Sequence, residues 1–182
     1  MASCIISTVE LLGKAFTPVK SDISQNIQKL ERIYITDHEK YSEFRPILQD
    51  EIERNLTREK NSATNSLLWL KRALQFIACL LDQIVKDEVK EEPSESIVPF
   101  CLVAYENALK RYHGWMIQKV FQVLIKVAPR KKDLLRTLAN GEECTDSQVV
   151  ADMEPYVSLL NANINSVHNL LASMNLNFDD RV

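Results

Sequence analysis

The chain has 182 residues with 46% hydrophobic and 26% charged side chains, ordinary proportions for one soluble globular domain with a sizeable core. A net charge of −3 gives no global drive toward nucleic acid or an acidic membrane, so binding of that kind would need a local patch. Three isolated glycines exclude a glycine-rich phosphate loop, and no apolar run reaches the ~18 residues that span a bilayer.

The periodicity is helical nearly throughout, with helices expected at about 3–13, 19–34, 38–56, 61–87, 97–126, 131–139, 146–152 and 153–175. The opening "MASCIISTVELL" has no basic leader and no clear cleavage site, so it does not read as a signal peptide. Thr17-Pro18 can begin the second helix. Within it, Asp22, Asn26 and Lys29 fall on one stripe, because offsets of four and seven at about 100° per residue bring them within roughly 40°. Ile23, Ile27 and Leu30 form the apolar stripe beside them. The polar trio is either a solvated edge or a hydrogen-bonding platform, and spacing alone leaves both open.

Asp37 can begin the third helix. The fourth carries "LLWLKRALQFIACLLDQIV" (67–85), apolar on most of its circumference, and such a helix belongs in the middle of an all-α protein. Trp69, beside Lys71 and Arg72, is either core or a flat platform for a sugar ring or a base. The segment "KDEVKEEPSES" (86–96) reads as an exposed connection. In "ALKRYHGWMIQKVF" (108–121), His113 precedes Gly114, which costs ~1 kcal/mol inside a helix and often marks a close approach. A core histidine beside a packing Trp115 is the simpler account of that segment. Gly141 is expected to end the sixth helix, and "TDSQ" (145–148) to cap the next. The end, "NFDDRV", reads as a loose tail.

Catalytic and metal chemistry find little support. There is no GxSxG, HExxH or CxxC, and His38 and His168 lie on dissimilar polar segments. Cys4, Cys79, Cys101 and Cys144 are scattered and read as reduced thiols of a cytosolic protein. No cofactor, no catalytic residue and no nucleic-acid partner is expected.

The segments "FTPVKSDISQNIQKL", "NSLLWLKRAL" and "AYENALKRYHGWMIQKVFQVLIKVAP", in that order and spacing, resemble the glycolipid transfer protein family from about residue 10 onward. "YITDHEKY" and "NSATNSLLWLKR" look especially like the C-terminal transfer domain of four-phosphate adaptor proteins, and plant members look similar too. The resemblance implies one all-α domain over 1–182. Its fold would be a two-layer helical sandwich of about eight helices enclosing an apolar lipid pocket, with a first helix shorter than usual. It implies a monomeric, non-enzymatic carrier that moves glycosphingolipids (glucosyl-, galactosyl- or lactosylceramide) between membranes, touching the cytosolic surface transiently. A lipid sensor without net transfer, or a ceramide-1-phosphate carrier, is the alternative.

By the same resemblance, Asp22 and His113 would bind the ceramide amide, Asn26 and Lys29 the first sugar, and Trp69 would stack under that sugar. A carboxylate accepts from the amide N–H and an imidazole donates to its oxygen, a pairing that diacylglycerol esters cannot satisfy. Phe16, Phe121, Leu134 and Val182 would line the apolar pocket, with Leu134 standing where an aromatic is common. Trp115 and Lys119 would meet the membrane, joined by the basic run Arg130, Lys131 and Lys132, whose other reading is a solvated helix start. The phosphate-binding branch of the family has a lysine at the position of Asn26 and an arginine at that of Leu68, and lacks the Trp69 equivalent. The glycolipid pattern is the one present here.

Overall fold

The computed structural model describes residues 16–181, so the expected helix at 3–13 and the pocket residue Val182 lie outside the described residues. Seven α-helices follow in order: α1 Thr17–Tyr34, α2 Phe44–Glu53, α3 Ala63–Glu88, α4 Val98–Ala108, α5 Trp115–Leu124, α6 Lys131–Leu138 and α7 Asp146–Ser173. Short 3₁₀ turns occupy Lys110–Tyr112 and Ile125–Val127. The fold is the expected all-helical sandwich, with α3 at its centre against α1, α4 and α7. Phe76, Ile77, Leu80, Leu81 and Ile84 of α3 are almost fully buried, as its apolar circumference requires.

Four boundaries differ from expectation, each for a physical reason. Helix α2 begins at Phe44 rather than near 38, because Pro46 has no N–H and its ring would clash with the carbonyl four residues back. Asp37 caps a turn instead, its Oδ1 accepting from Lys40 N at 3.0 Å. The end of α2 falls at Glu53, and Asn55 just beyond it adopts a left-handed φ of 56°. The expected helix at 97–126 is broken: His113 is extended, and Gly114 is the N-cap of α5 rather than a mid-helix residue. Gln118 Nε2 donates to the carbonyls of Lys110 (3.2 Å) and His113 (2.8 Å) and so satisfies the break.

The expected helices at 146–152 and 153–175 are one. The capping box of Thr145 and Gln148 starts α7 as anticipated, and Gly141, at φ +86°, follows α6. Helix α7 then runs straight through Pro155, because Val150, Met153, Val157, Leu160 and Ile164 bury one continuous face across it. That burial outweighs a single lost backbone hydrogen bond. The tail differs as well: it is tied down rather than loose, as described below.

The 86–96 connection is exposed over most of its length but holds one internal charge. Asp87 is 2% exposed and accepts from Lys90 Nζ (3.0 Å), Ser94 N (2.8 Å) and Lys131 Nζ (3.1 Å). Lys131 also donates to Glu88 at 2.8 Å and is 7% exposed. Its charge is therefore spent inside the protein, and it is not available to a membrane as the sequence suggested. Burial alone would push the Asp87 carboxyl up, but its donors outweigh burial and hold it below the usual carboxylate range. A depressed folded-state value stabilises the fold above the unfolded value and loses that contribution as pH falls through the folded one. Asp87→Asn is expected to cost ~1–3 kcal/mol at pH 7, the lower part of the range for a near-surface buried pair. Urea midpoints of variant and parent measured down an acid series should converge as the parent carboxyl protonates.

Candidate functional site

The site is assembled where the N-terminal half of α3 meets α1, the α4–α5 break and the C-terminal tail. Ser62 caps α3 by accepting from Asn65 N at 3.0 Å. Glu51 of α2 reinforces that end, its carboxylate accepting from the backbone N–H groups of Ala63 and Thr64 and from the Thr64 hydroxyl. This fixes the first turns of α3, which carry Leu68, Trp69 and Arg72 into a recess of about 500 Å³. Thr57, Arg58, Lys60, Asn65, Phe178 and Asp180 complete its lining.

Trp69 is half-buried and lies nearly parallel to the His113 ring, 15° between planes with centroids 5.6 Å apart. On α3 the Arg72 guanidinium sits 4.8 Å from the Trp69 centroid and 3.5 Å from that of Tyr112. Arg72 is 2% exposed, hydrogen-bonds the Phe178 carbonyl, and leaves its Nε without a partner among the described residues. Lys71 beside it donates to Asn177 Oδ1, and burial pulls its ammonium down to about 8. Arg58 pairs with Asp180 at 2.7 Å and lies 4.0 Å over the Phe178 ring. These contacts turn "NFDDR" from the expected loose end into one wall of the recess.

His113 is half-buried, and burial, with Arg72 nearby, lowers its pKa from the usual imidazole value. Its Nδ1 lies 2.9 Å from the Tyr105 hydroxyl. On α1, Asp22 keeps solvent access while Asn26 is buried and donates from Nδ2 to the Asp22 backbone carbonyl at 3.0 Å. Crowding by surrounding protein pushes the Asp22 carboxyl above its ordinary range, opposed by the Asn26 amide and the Lys29 charge. Lys29 Nζ reaches the carbonyl of Lys60, a recess residue, at 3.3 Å. Of the five expected headgroup residues, Trp69 lines the recess directly, and His113 and Lys29 adjoin it through Trp69 and Lys60. Asp22 and Asn26 stand on the same α1 stripe as Lys29.

The expected pocket residues lie elsewhere. Phe16 and Leu134 are buried in the main core, where Phe16 faces Phe76 at 6.2 Å and Phe121 packs on Tyr105 at 3.7 Å. Trp115 is 72% exposed, which removes the reading that it is ordinary core. With it, Met116, Val120, Val123 and Val127 form an exposed apolar strip on α5 and the turn after it, and Lys119, Arg130 and Lys132 are exposed nearby in sequence. Among the described residues no helix is long and apolar enough to cross a membrane, and no cluster of His, Cys, Asp or Glu could hold a metal ion.

Sequence reasoning missed Arg58, Lys60, Asn65, Phe178, Asp180 and Tyr105. The tail residues carry no local signal, since only the long-range fold brings them to α3. Tyr105 did have one: it precedes His113 by eight residues on a helix that ends between them.

Comparison with known proteins gives one consistent answer. The family model described as "Glycolipid transfer protein (GLTP)" matches residues 1–140. Glycolipid transfer protein of Danio rerio is 34% identical over 175 residues, covering 95% of this chain and 84% of its own. Glycolipid transfer protein 1 of Arabidopsis thaliana is 30% identical over 176 residues, covering 97% and 82%. Among solved structures, one addressing how FAPP2 selects simple glycosphingolipids using the GLTP-fold superposes with a TM-score of 0.85 at 27% identity. It covers all of this chain and 86% of its own.

Proposed function

The chain belongs to the glycolipid transfer protein family, and on that premise we propose that it carries one glycosphingolipid at a time between membranes without altering it. The ligand is glucosyl-, galactosyl- or lactosylceramide, and the carrier acts as a monomer at the cytosolic face. The observation that carries this reading is the Trp69–His113 pair: a flat indole lining a recess, stacked on a half-buried imidazole. A sugar's C–H face suits the indole, and the imidazole N–H suits an amide oxygen. Asp22 accepts from the amide N–H, and Asn26 and Lys29 serve the first sugar. Phe16, Phe121 and Leu134 open around the chains when lipid enters. An acid/base pair for glycoside hydrolysis would need two carboxyls across one bond. Among the described residues the recess lining supplies only Asp180, and Arg58 holds it.

Ceramide-1-phosphate is the second reading, favoured by Arg58, Lys60 and Arg72 in one recess. Two of the three are engaged, Arg58 by Asp180 and Arg72 by the Phe178 carbonyl and the Tyr112 ring. A phosphomonoester would have to break those contacts before gaining its own. Unlabelled galactosylceramide should therefore compete well against labelled galactosylceramide, and ceramide-1-phosphate poorly. Equal competition by both would transfer this chain to the phosphate branch.

The strip of Trp115, Met116, Val120, Val123 and Val127 supports membrane docking through α5, where an indole with an apolar body and a polar N–H suits the interface. Trp115→Ala is expected to weaken vesicle binding even on neutral lipid. Neutralising Arg130 and Lys132 should matter only on anionic vesicles at low salt, at about 1 kcal/mol per cation. In a Trp69→Phe variant the remaining indole should shift to the blue as vesicles are added. An unshifted spectrum, with undiminished partitioning of Trp115→Ala, would remove this face from the docking surface.

A further inference from the structure

We propose that Tyr105 is a positioning residue that holds His113 in the Nε2–H tautomer, so that the imidazole presents a fixed donor to the ligand amide. The use of that donor rests on the headgroup role given to His113 above; the tautomer itself does not.

A neutral imidazole carries one proton, and the partner of one ring nitrogen decides where it sits. Burial and the neighbouring Arg72 charge both disfavour the imidazolium here. The Tyr105 hydroxyl is 2.9 Å from Nδ1, and two arrangements could fill that distance. If Nδ1–H donated to the phenol oxygen, the Tyr105 proton would need another acceptor. Tyr105 is 5% exposed, and its hydroxyl has no second hydrogen-bond partner among the described residues. Burial also pushes the phenol up to about 12, so it keeps its proton at neutral pH. With Tyr105 donating, Nδ1 is an acceptor and the imidazole proton lies on Nε2, which makes no protein hydrogen bond among the described residues.

The surroundings hold both partners still. Phe121 stacks on the Tyr105 ring at 3.7 Å with 7° between planes, and Trp69 covers the His113 ring. Gln118 fixes the His113 carbonyl at 2.8 Å. A ring flip of His113 would bring Cδ2 toward the phenol and leave the Tyr105 proton buried and unpartnered. The helix break at Gly114 therefore has a chemical use. It lets His113 lean back on a tyrosine of the preceding helix, which a continuous helix would place about two turns away.

The test is long-range proton–nitrogen NMR of imidazole-labelled protein at neutral pH, with galactosylceramide transfer measured alongside. The parent protein should show a pyridine-type Nδ1 and a pyrrole-type Nε2 at His113. Tyr105→Phe keeps the ring, and so the Phe121 stack, but removes the donor. It should shift His113 toward a tautomer mixture and lower transfer about five- to tenfold, the worth of a partly lost hydrogen bond. In a His113→Gln background the same substitution should cost nothing further, whereas a purely structural role would cost the same in both. An Nδ1–H signature in the parent, or an unchanged His113 spectrum in Tyr105→Phe, overturns the lock without reference to any lipid. A shifted tautomer with undiminished transfer overturns its use in binding. Failure of the parent to move galactosylceramide would instead fault the proposed function, and the spectra would still decide the lock.

Discussion

Asp22→Val is expected to lower galactosylceramide transfer at least tenfold while leaving the helical fold intact and the denaturation midpoint unchanged or raised. The two halves of that expectation have one cause. A carboxylate accepting from a ceramide amide N–H makes a charge-assisted bond worth ~1.5–3 kcal/mol, and each ~1.4 kcal/mol is a factor of ten in affinity. In the unliganded protein the same carboxyl is crowded, and its pKa stands above its ordinary value. A raised carboxylate pKa means that the ionised form opposes folding at neutral pH, and that this opposition fades as pH falls through the folded-state value. Because Asp22 is exposed, solvent weakens that opposition, and removing the carboxyl leaves the fold unchanged or slightly firmer, while Ile23 and Ile27 keep α1 seated. Circular dichroism, a urea titration and a transfer assay on one preparation give the answer. A mutant that transfers at the parental rate, or that loses transfer only by unfolding, would show that Asp22 has another role.

Trp69→Ala should be at least as damaging. Trp69 lines the recess, stacks on His113 and lies beside the Arg72 guanidinium. Losing the indole removes the sugar platform and frees two neighbours that must be held still to bind. An aromatic stacking contact is worth ~0.5–1.5 kcal/mol beyond the area it covers, and the lost apolar area adds to it. The sum is on the order of 2 kcal/mol, hence more than tenfold in affinity. Trp69→Phe keeps a smaller face and should recover part of the rate. Equal loss in the alanine and phenylalanine variants would point to the indole N–H rather than to stacking.

The fold was legible in the sequence wherever burial is periodic and local. The central place of α3 follows from an apolar circumference, and the start of α7 from a four-residue capping box. The misjudged ends involve competition between local and distant effects. Pro46 cut α2 short by local sterics, whereas Pro155 failed to cut α7 because a buried face continued on both sides. The site was half legible. Asp22, Asn26 and Lys29 share a helical stripe, and the indole and the imidazole were visible as unusual neighbours of a cationic pair and a glycine. The tail wall was not, since Asn177, Phe178 and Asp180 acquire meaning only against Lys71, Arg72 and Arg58, more than a hundred residues earlier. Lys131 misled for the same reason. Its basic run looks solvent-facing until Asp87 and Glu88 are brought beneath it.

Whether this chain moves an intact glycosphingolipid between membranes is decided by a vesicle exchange experiment. Labelled galactosylceramide in donor vesicles is mixed with unlabelled acceptors and catalytic amounts of the protein, and the acceptor lipid is then recovered and its headgroup identified. Equilibration many times faster than the spontaneous rate is expected, with the sugar still attached. Saturable binding without acceleration would contradict it in favour of a sensor, and free galactose among the products would contradict it in favour of a hydrolase.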